Sequence, residues 1–176
     1  MAVTKPYAED LRSIGQALEA RNISVFELKR LRDRYIIQGM PEHTGSLASK
    51  LRQWYWQLRS VFTPESLNLG LEDVERLSQA GRAKRSKPRR LPDFYSVSST
   101  LRTVGAYLDA RGVELVRLYK RPITIALSYR DKQGHEHQED RPISSFYNLF
   151  LELYGKRGQP QKTLQSLDRQ PSGVTS

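Results

Sequence analysis

The sequence has no cysteine, which excludes disulfide bonds, thiolate chemistry and zinc sites that use cysteine ligands. No apolar run approaches the about 20 residues of a membrane-spanning helix. Glu9 and Asp10 interrupt the region where a secretory signal peptide needs an apolar stretch. P-loop, GxGxxG and GxSxG motifs are also missing. We therefore expect a cytoplasmic protein with no membrane span, no catalytic activity and no cofactor.

Positive charge is in excess and is concentrated in one short stretch. The net charge is +10, and residues 81–92 (GRAKRSKPRRLP) hold six bases and no acid. By contrast, residues 1–80 have 11 bases against 10 acids, and residues 93–158 have 10 against 8. We interpret 81–92 as a basic linker between a first module (4–80) and a second module (93–158). The polar residues after 158 are predicted to be a disordered tail, 159–176.

An eleven-residue stretch occurs twice, as LRSIGQALEAR at 11–21 and LRTVGAYLDAR at 101–111. In both copies the apolar residues recur at steps of three and four, which predicts an amphipathic helix. Each helix contains a glycine, Gly15 or Gly105. Because a glycine within a helix costs up to about 1 kcal/mol relative to alanine, we infer that another backbone lies close to each. We interpret the two copies as a structural repeat.

The ends of these two helices also carry signals. Thr4 is the predicted N-cap of the first helix, and Ser98 or Ser99 that of the second, because hydroxyl oxygens accept from free amides there. Asn22 and Gly112 follow the two copies, and both residue types tolerate the left-handed conformation that ends a helix.

The residues after the second copy are predicted to form strands, and residues 123–130 alternate as strands do. Residues 113–121 are rich in long apolar and β-branched side chains, and 135–140 can form an exposed third strand. Residues 142–158 are predicted to form a closing helix that begins at Ser144 or Ser145. The strand 123–130 is predicted to bury one face, formed by Ile123, Ile125, Leu127 and Tyr129.

The resulting α-β-β-β-α order is similar to that of double-stranded RNA-binding domains. Those domains open their last helix with lysines, whereas residues 143–146 here are Ile-Ser-Ser-Phe. The resemblance therefore implies a topology and no function.

Residues 23–39 of the first module allow two predictions. The analogy with the second copy favours two strands that turn at Arg32 and Asp33. The alternative is a helix, because Ser24 and Glu27 have the spacing of a capping box. We favour the strands.

Two further helices are predicted in the first module. Residues 46–62 would close it, and residues 66–81 would form a short helix before the linker. The predicted fold class is α+β, with two related small modules joined by the basic linker. The first module is helix, β-strands and helix, and the second is α-β-β-β-α.

The basic linker is the strongest candidate for a functional site. Its cations would release counterions on meeting phosphates, and in a eukaryote the same string would serve as a nuclear-import signal. The residues concerned are Arg82, Lys84, Arg85, Lys87, Arg89 and Arg90.

Two other groups are predicted to extend this basic surface. Arg52, Trp56 and Arg59 share one face of the predicted helix 46–62, which suits base stacking or a protein interface. The second group surrounds the predicted strand hairpin and consists of Arg117, Lys120, Arg121, Arg130 and Lys132.

Metal and nuclease chemistry are not predicted. His135 and His137 lie on one side of an extended chain but lack a convincing third ligand. Asp109 is interpreted as a helix-surface residue rather than as part of an acidic pair. We predict a non-enzymatic protein that binds DNA or RNA largely independently of sequence. The alternative is a protein–protein adaptor, or a small subunit of a larger complex that can include nucleic acid.

Overall fold

A computed structural model describes residues 6–41, 65–83 and 91–155. The helices in these ranges are α1 (Tyr7–Glu19), α2 (Leu71–Ala83), α3 (Val97–Arg111) and α4 (Tyr147–Gly155). The strands are β1 (Ile23–Arg30), β2 (Arg34–Pro41), β3 (Glu65–Gly70), β4 (Glu114–Lys120), β5 (Thr124–Arg130) and β6 (Glu136–Pro142). The predicted helix 46–62, the predicted tail 159–176 and the predicted cap Thr4 lie outside the described residues.

The six strands form one antiparallel sheet in the order β3-β2-β1-β4-β5-β6. The α+β class is therefore confirmed, and residues 23–39 form strands, as favoured. Strands from both predicted modules join this sheet, because β1 pairs with β4 at its centre, where Leu28 lies opposite Leu118. Their buried side chains belong to one hydrophobic core.

Successive side chains of each strand point to opposite faces of the sheet, and one of these faces is buried. Ile125, Leu127 and Tyr129 of β5 are buried, as predicted. Ile123 is 72% exposed, so its assignment to this face is wrong. The reason is that β5 begins only at Thr124, so Ile123 belongs to the preceding turn.

The helices cover one face of the sheet, and α1 packs against α3. A Cβ added at Gly15 would lie 2.5 Å from Ser98 Cα, and one added at Gly105 would lie 2.6 Å from Ala8 Cα. Both contacts are with backbone atoms of the other helix. The close approach inferred from the two glycines is therefore confirmed.

A carboxylate near the end of each of these helices caps the start of the other. Asp109 accepts hydrogen bonds from the amides of Tyr7 (2.7 Å) and Ala8 (2.9 Å). Glu19 accepts hydrogen bonds from the amide (2.9 Å) and hydroxyl (3.0 Å) of Ser98. Asp109 is thus not a simple surface residue. Burial raises its pKa above the usual value, and the hydrogen bond from Ala8 acts in the opposite direction.

The helix ends confirm one prediction and correct another. Ser96, rather than Ser98 or Ser99, caps α3, and its hydroxyl oxygen accepts from the Ser99 amide at 3.3 Å. Asn22 (φ 56°) and Gly112 (φ 62°) both have the predicted left-handed conformation.

Two other predicted helices differ from the structure. Residues 66–81 were expected to be one helix, but Glu65–Gly70 is β3, and α2 follows it directly. Leu67 and Leu69 alternate toward the core, which a strand allows. The last helix begins with a 3-10 turn, Ile143–Phe146, that has no side-chain cap, so neither predicted serine caps it. None of the helices in the described ranges has the length and hydropathy needed to cross a membrane.

Candidate nucleic-acid interface

The basic linker is attached at both ends to the layer of helices. α2 packs on α1 and extends to Ala83, which places Arg82 in its last turn. After the linker, the described residues begin again at Leu91, and the ring of Phe94 contacts Tyr147 and Phe150 of α4, with centroids 5.2 and 5.1 Å apart. The remaining linker cations lie outside the described residues: Lys84, Arg85, Lys87, Arg89 and Arg90.

The described part of the chain has no net positive charge. It contains 16 lysines and arginines against 17 aspartates and glutamates, a net charge of −1. The rest of the chain contains 13 bases against 2 acids, a net charge of +11, and residues 84–90 contribute five of those bases. The excess positive charge of the protein therefore lies outside the described residues.

The sheet face that the helices leave uncovered carries cations, but acids accompany them. At its centre, Glu27 Oε1 lies 2.6 Å from Arg117 Nε and 3.2 Å from Lys29 Nζ. The strand register places Lys29 opposite Arg117, and Glu27 opposite Tyr119. Both cations are about half exposed, so a phosphate could reach them only in competition with Glu27.

Arg121 extends this surface toward β6. Its guanidinium lies over the ring of Tyr119, 5.1 Å from the centroid, and its Nη1 is 3.2 Å from Asp140 Oδ2. Tyr119 is partly buried, and a flat cation held on an aromatic ring is a common element of surfaces that bind nucleic-acid bases. Lys29 and Glu27 were not anticipated as part of this surface, because only the pairing of β1 with β4 brings them to Arg117. Tyr119 was not anticipated either, although it lies two positions from Arg117 on the same strand and therefore on the same face.

Arg130 is the last residue of β5, and Lys132 lies in the turn that follows. Arg130 Nη1 is 3.8 Å from Glu114 Oε2. Both cations line a cleft of about 380 Å³. The charged groups of this cleft are Arg30, Arg130, Lys132, Asp109, Glu114 and Asp131. Equal numbers of bases and acids give the cleft no preference for an anion.

Lys120 does not belong to the exposed basic surface. It is 3% exposed, and its ammonium group donates a hydrogen bond to the carbonyl oxygen of Ser24 at 3.0 Å. The register places Lys120 opposite Phe26, on the face of the sheet that the helices cover. Arg52, Trp56 and Arg59 lie outside the described residues.

An aromatic cluster that was not predicted adjoins the end of the linker. Phe94 and Phe150 form its centre, with Tyr95, Tyr147 and Tyr154 around them. Tyr95 is 57% exposed and Tyr147 is 47% exposed. The available signal was the spacing of the aromatic residues at 147, 150 and 154, which places them on neighbouring positions of one helix surface.

His135 and His137 stabilise a turn. His137 Nε2 lies 2.8 Å from Asp131 Oδ2, and His135 Nδ1 lies 3.5 Å from the same oxygen. The hydrogen bond with His137 lowers the pKa of Asp131 to about 2, and the amides of Gln133 and His135 act in the same direction. Within the described ranges no group of three or more side chains is suited to hold a metal ion.

Comparison of the chain with protein-family models, with curated proteins and with solved structures finds no match.

Proposed function

We propose that the protein binds DNA or RNA without catalysing a reaction, and that the basic linker makes most of the contacts with phosphates. The observation that carries this proposal is that the excess positive charge lies outside the described residues. The described residues have a net charge of −1, whereas the remaining residues contain 13 bases and only 2 acids. A cation that has no acidic neighbour gains the full benefit of counterion release when it meets a phosphate.

We further propose that the frame consists of two related modules, helix, β-strands and helix in the first and α-β-β-β-α in the second, whose strands share one sheet. Leu11 aligns with Leu101 in the repeat, an offset of 90 positions. The same offset relates Leu28 to Leu118, which face each other across the central strand pair. It also relates the contact of Gly15 with Ser98 to that of Gly105 with Ala8. Reciprocal contacts of this kind are expected of a pseudo-twofold arrangement.

This frame would present the linker rather than bind nucleic acid strongly by itself. The cations of the uncovered sheet face already have acidic partners, as Arg117 has Glu27 and Arg121 has Asp140. Exposed ion pairs contribute little energy, and exchanging one partner for a phosphate gains correspondingly little. We therefore assign these side chains a role in orienting the bound strand.

The salt dependence of binding tests this assignment. For about six neutralised phosphates, the logarithm of the association constant should fall against the logarithm of salt concentration with a slope of about −5 on duplex DNA. The linker variant replaces Lys84, Arg85, Lys87, Arg89 and Arg90 with glutamine. Its slope should fall to about −1, because five counterion contacts are lost. Fluorescence anisotropy with duplex DNA, single-stranded DNA and RNA measures both slopes.

A matched control removes charge from the frame instead. The variant Arg117→Gln/Arg121→Gln/Arg130→Gln should keep most of the wild-type slope, because each of these cations already faces an acid. A wild-type slope shallower than about −2, or a linker variant that binds as well as the wild type, would contradict the proposal.

A second function, as a protein–protein adaptor or a small subunit of a larger complex, is favoured by the aromatic cluster. Exposed tyrosines beside apolar surface are enriched at protein interfaces, and Tyr95, Tyr147 and Leu91 are all exposed here. Affinity capture before and after nuclease treatment separates the two functions. Partners that survive digestion and are lost in Tyr95→Ala/Tyr147→Ala support the adaptor. Partners that digestion removes support nucleic-acid binding.

A further inference from the structure

Tyr95 and Tyr147 are the only exposed aromatic side chains among the residues that the structure describes, and both belong to the aromatic cluster. The ring of Phe94 contacts both of them. Its centroid is 5.0 Å from that of Tyr95 and 5.2 Å from that of Tyr147, and both contacts are edge-on. The two exposed rings are therefore neighbours on one surface.

Hydrogen bonds hold the backbone of Tyr95 in this exposed position. Its amide donates to Asp93 Oδ1 at 3.0 Å, and the amide of Ser96 donates to the carbonyl oxygen of Asp93 at 3.2 Å. The hydroxyl of Thr100 donates to the carbonyl oxygen of Phe94 at 3.1 Å. Because Ser96 also caps α3, this turn is anchored to a helix of the core. A position that is fixed before a ligand arrives lowers the entropic cost of binding.

Core side chains support Tyr147 in the same way. Its ring stacks on that of Phe150 at an interplanar angle of 22°, with centroids 6.2 Å apart. Phe150 is only 3% exposed, whereas Tyr147 is 47% exposed. The tyrosine ring is thus backed by a buried ring and still offers about half of its surface to a planar group.

The exposed area of the two tyrosines suits bases rather than a folded partner. An aromatic side chain buries about 150–250 Å² when it is fully covered, so two half-exposed rings together offer about that area. A standard protein interface buries about 800 Å² on each partner. A base needs only one ring to stack on, and every base has a π-face.

The cluster is also continuous in sequence with the cations proposed to bind phosphates. Arg90 stands five positions before Tyr95, and five residues span at most about 18 Å. Nucleotides of one strand are about 3.4 Å apart in a helix, so this span corresponds to about five nucleotides. A strand longer than that can contact Arg90 through a phosphate and Tyr95 through a base.

We propose that Tyr95 and Tyr147 form a stacking platform for unpaired bases, and that the preferred ligand of the protein is therefore a single-stranded nucleic acid. In a duplex the faces of the bases are covered by their neighbours, whereas in a single strand they can stack on aromatic side chains. The inference rests on the nucleic-acid binding proposed above. It adds a preference that counterion release does not supply, because both kinds of strand carry phosphates.

Strands with and without bases separate stacking from charge. The probes are a fluorescein-labelled thymidine oligonucleotide of about 15 nucleotides and an abasic strand of the same length, which carries the same phosphates. In anisotropy titrations the full chain should bind the thymidine strand at least about five-fold more tightly than the abasic strand. In Tyr95→Ala/Tyr147→Ala this difference should disappear. The affinity for the abasic strand and the salt slope should stay at the wild-type values, because no cation is removed.

Two control variants show whether the rings themselves are responsible. Tyr95→Phe/Tyr147→Phe keeps both rings and should keep the preference for the thymidine strand. Leu31→Ala removes a side chain that is 47% exposed, as Tyr147 is, but lies in the turn between β1 and β2. It should change neither affinity. Circular dichroism melts of all three variants should match that of the wild type, since the replaced side chains are exposed.

Photo-crosslinking locates the contact directly. A strand with 5-iodouracil in place of thymine should crosslink to the wild-type protein, and mass spectrometry should find the modified residue at Tyr95 or Tyr147. Crosslinks found only at other residues would overturn the platform.

The remaining outcomes distinguish this inference from the proposed function. Equal binding of the thymidine and abasic strands with a steep salt slope would overturn the platform and leave nucleic-acid binding intact. If neither strand binds, both proposals fail. A protein partner that survives nuclease digestion and is lost in Tyr95→Ala/Tyr147→Ala, while the affinity for the thymidine strand is unchanged, would assign the cluster to the adaptor instead.

Discussion

Replacing Gly15 with alanine tests the packing of α1 against α3, because elementary helix energetics predict the opposite sign. In an isolated helix this substitution stabilises by up to about 1 kcal/mol. Here the new Cβ would lie 2.5 Å from Ser98 Cα and 2.9 Å from its amide nitrogen. Carbon atoms in contact normally lie about 3.5–4.0 Å apart, so the helices must separate by about 1 Å.

The expected cost follows from what this separation disturbs. Overpacking at a close contact costs about 1–3 kcal/mol. The contacted atoms belong to the backbone, so no side-chain rotation relieves the contact. Separation also lengthens the hydrogen bonds between Glu19 and Ser98, each of which contributes about 0.5–1.5 kcal/mol. We expect a net loss of about 1–3 kcal/mol in the free energy of unfolding after the helix-propensity gain is subtracted.

Urea denaturation monitored by circular dichroism measures this loss, and a thermal melt should move down by about 2–4 °C per kcal/mol for a chain of this size. Gly105→Ala should behave in the same way, because its Cβ would lie 2.6 Å from Ala8 Cα. The control is Gly155→Ala in α4, where the nearest atom lies 3.9 Å away and the effect should be neutral or stabilising.

The double variant makes the test stricter. Once the first methyl group has separated the helices, the second should cost less, so the double variant should lose less than the sum by about 0.5 kcal/mol or more. A Gly15→Ala protein as stable as Gly155→Ala, or two losses that add fully, would show that these helices do not meet as described.

Three further predictions concern individual side chains. Asp109→Ala removes the cap of α1 and should lower the free energy of unfolding by about 1–2 kcal/mol in urea titrations; an unchanged midpoint would contradict the cap. Tyr107→Ala should cost about 3–5 kcal/mol, because it opens a cavity at a fully buried position, and a loss below about 1 kcal/mol would place the ring at the surface. The lowered pKa of Asp131 means that the folded state binds fewer protons than the unfolded state between about pH 4 and pH 2. Stability present above that window should therefore fall as the pH drops through it, and less so in Asp131→Asn. A carboxyl carbon NMR titration of Asp131 with its midpoint near the usual value would refute this.

Much of the local structure was predictable because local patterns report it directly. The steps of three and four in the two copies predicted helices, the content of β-branched and long apolar residues predicted β4, and alternation predicted β5. The glycines inside the copies predicted a close backbone contact, and Asn22 and Gly112 predicted left-handed helix ends. Each of these predictions depends on the period of a side-chain pattern or on the steric preference of one residue. Both are properties of neighbouring positions in the chain.

The candidate site was predictable only in part. The linker is recognisable because six bases without an acid stand next to one another in the sequence. Whether the other cations are free depends on partners that are distant along the chain. Arg117 meets Glu27 only because β4 pairs with β1, and Lys120 is buried only because the register places it opposite Phe26.

The sequence by itself determined the repeated helices, most of the strands and the position of the excess charge, since all of these are written in the order of adjacent residues. Only the tertiary structure decided that strands from both predicted modules join one sheet, that Asp109 caps α1, and that Lys120 is buried. These features join residues that are far apart in sequence. The packing of separate elements creates them, and no local periodicity specifies which elements will meet.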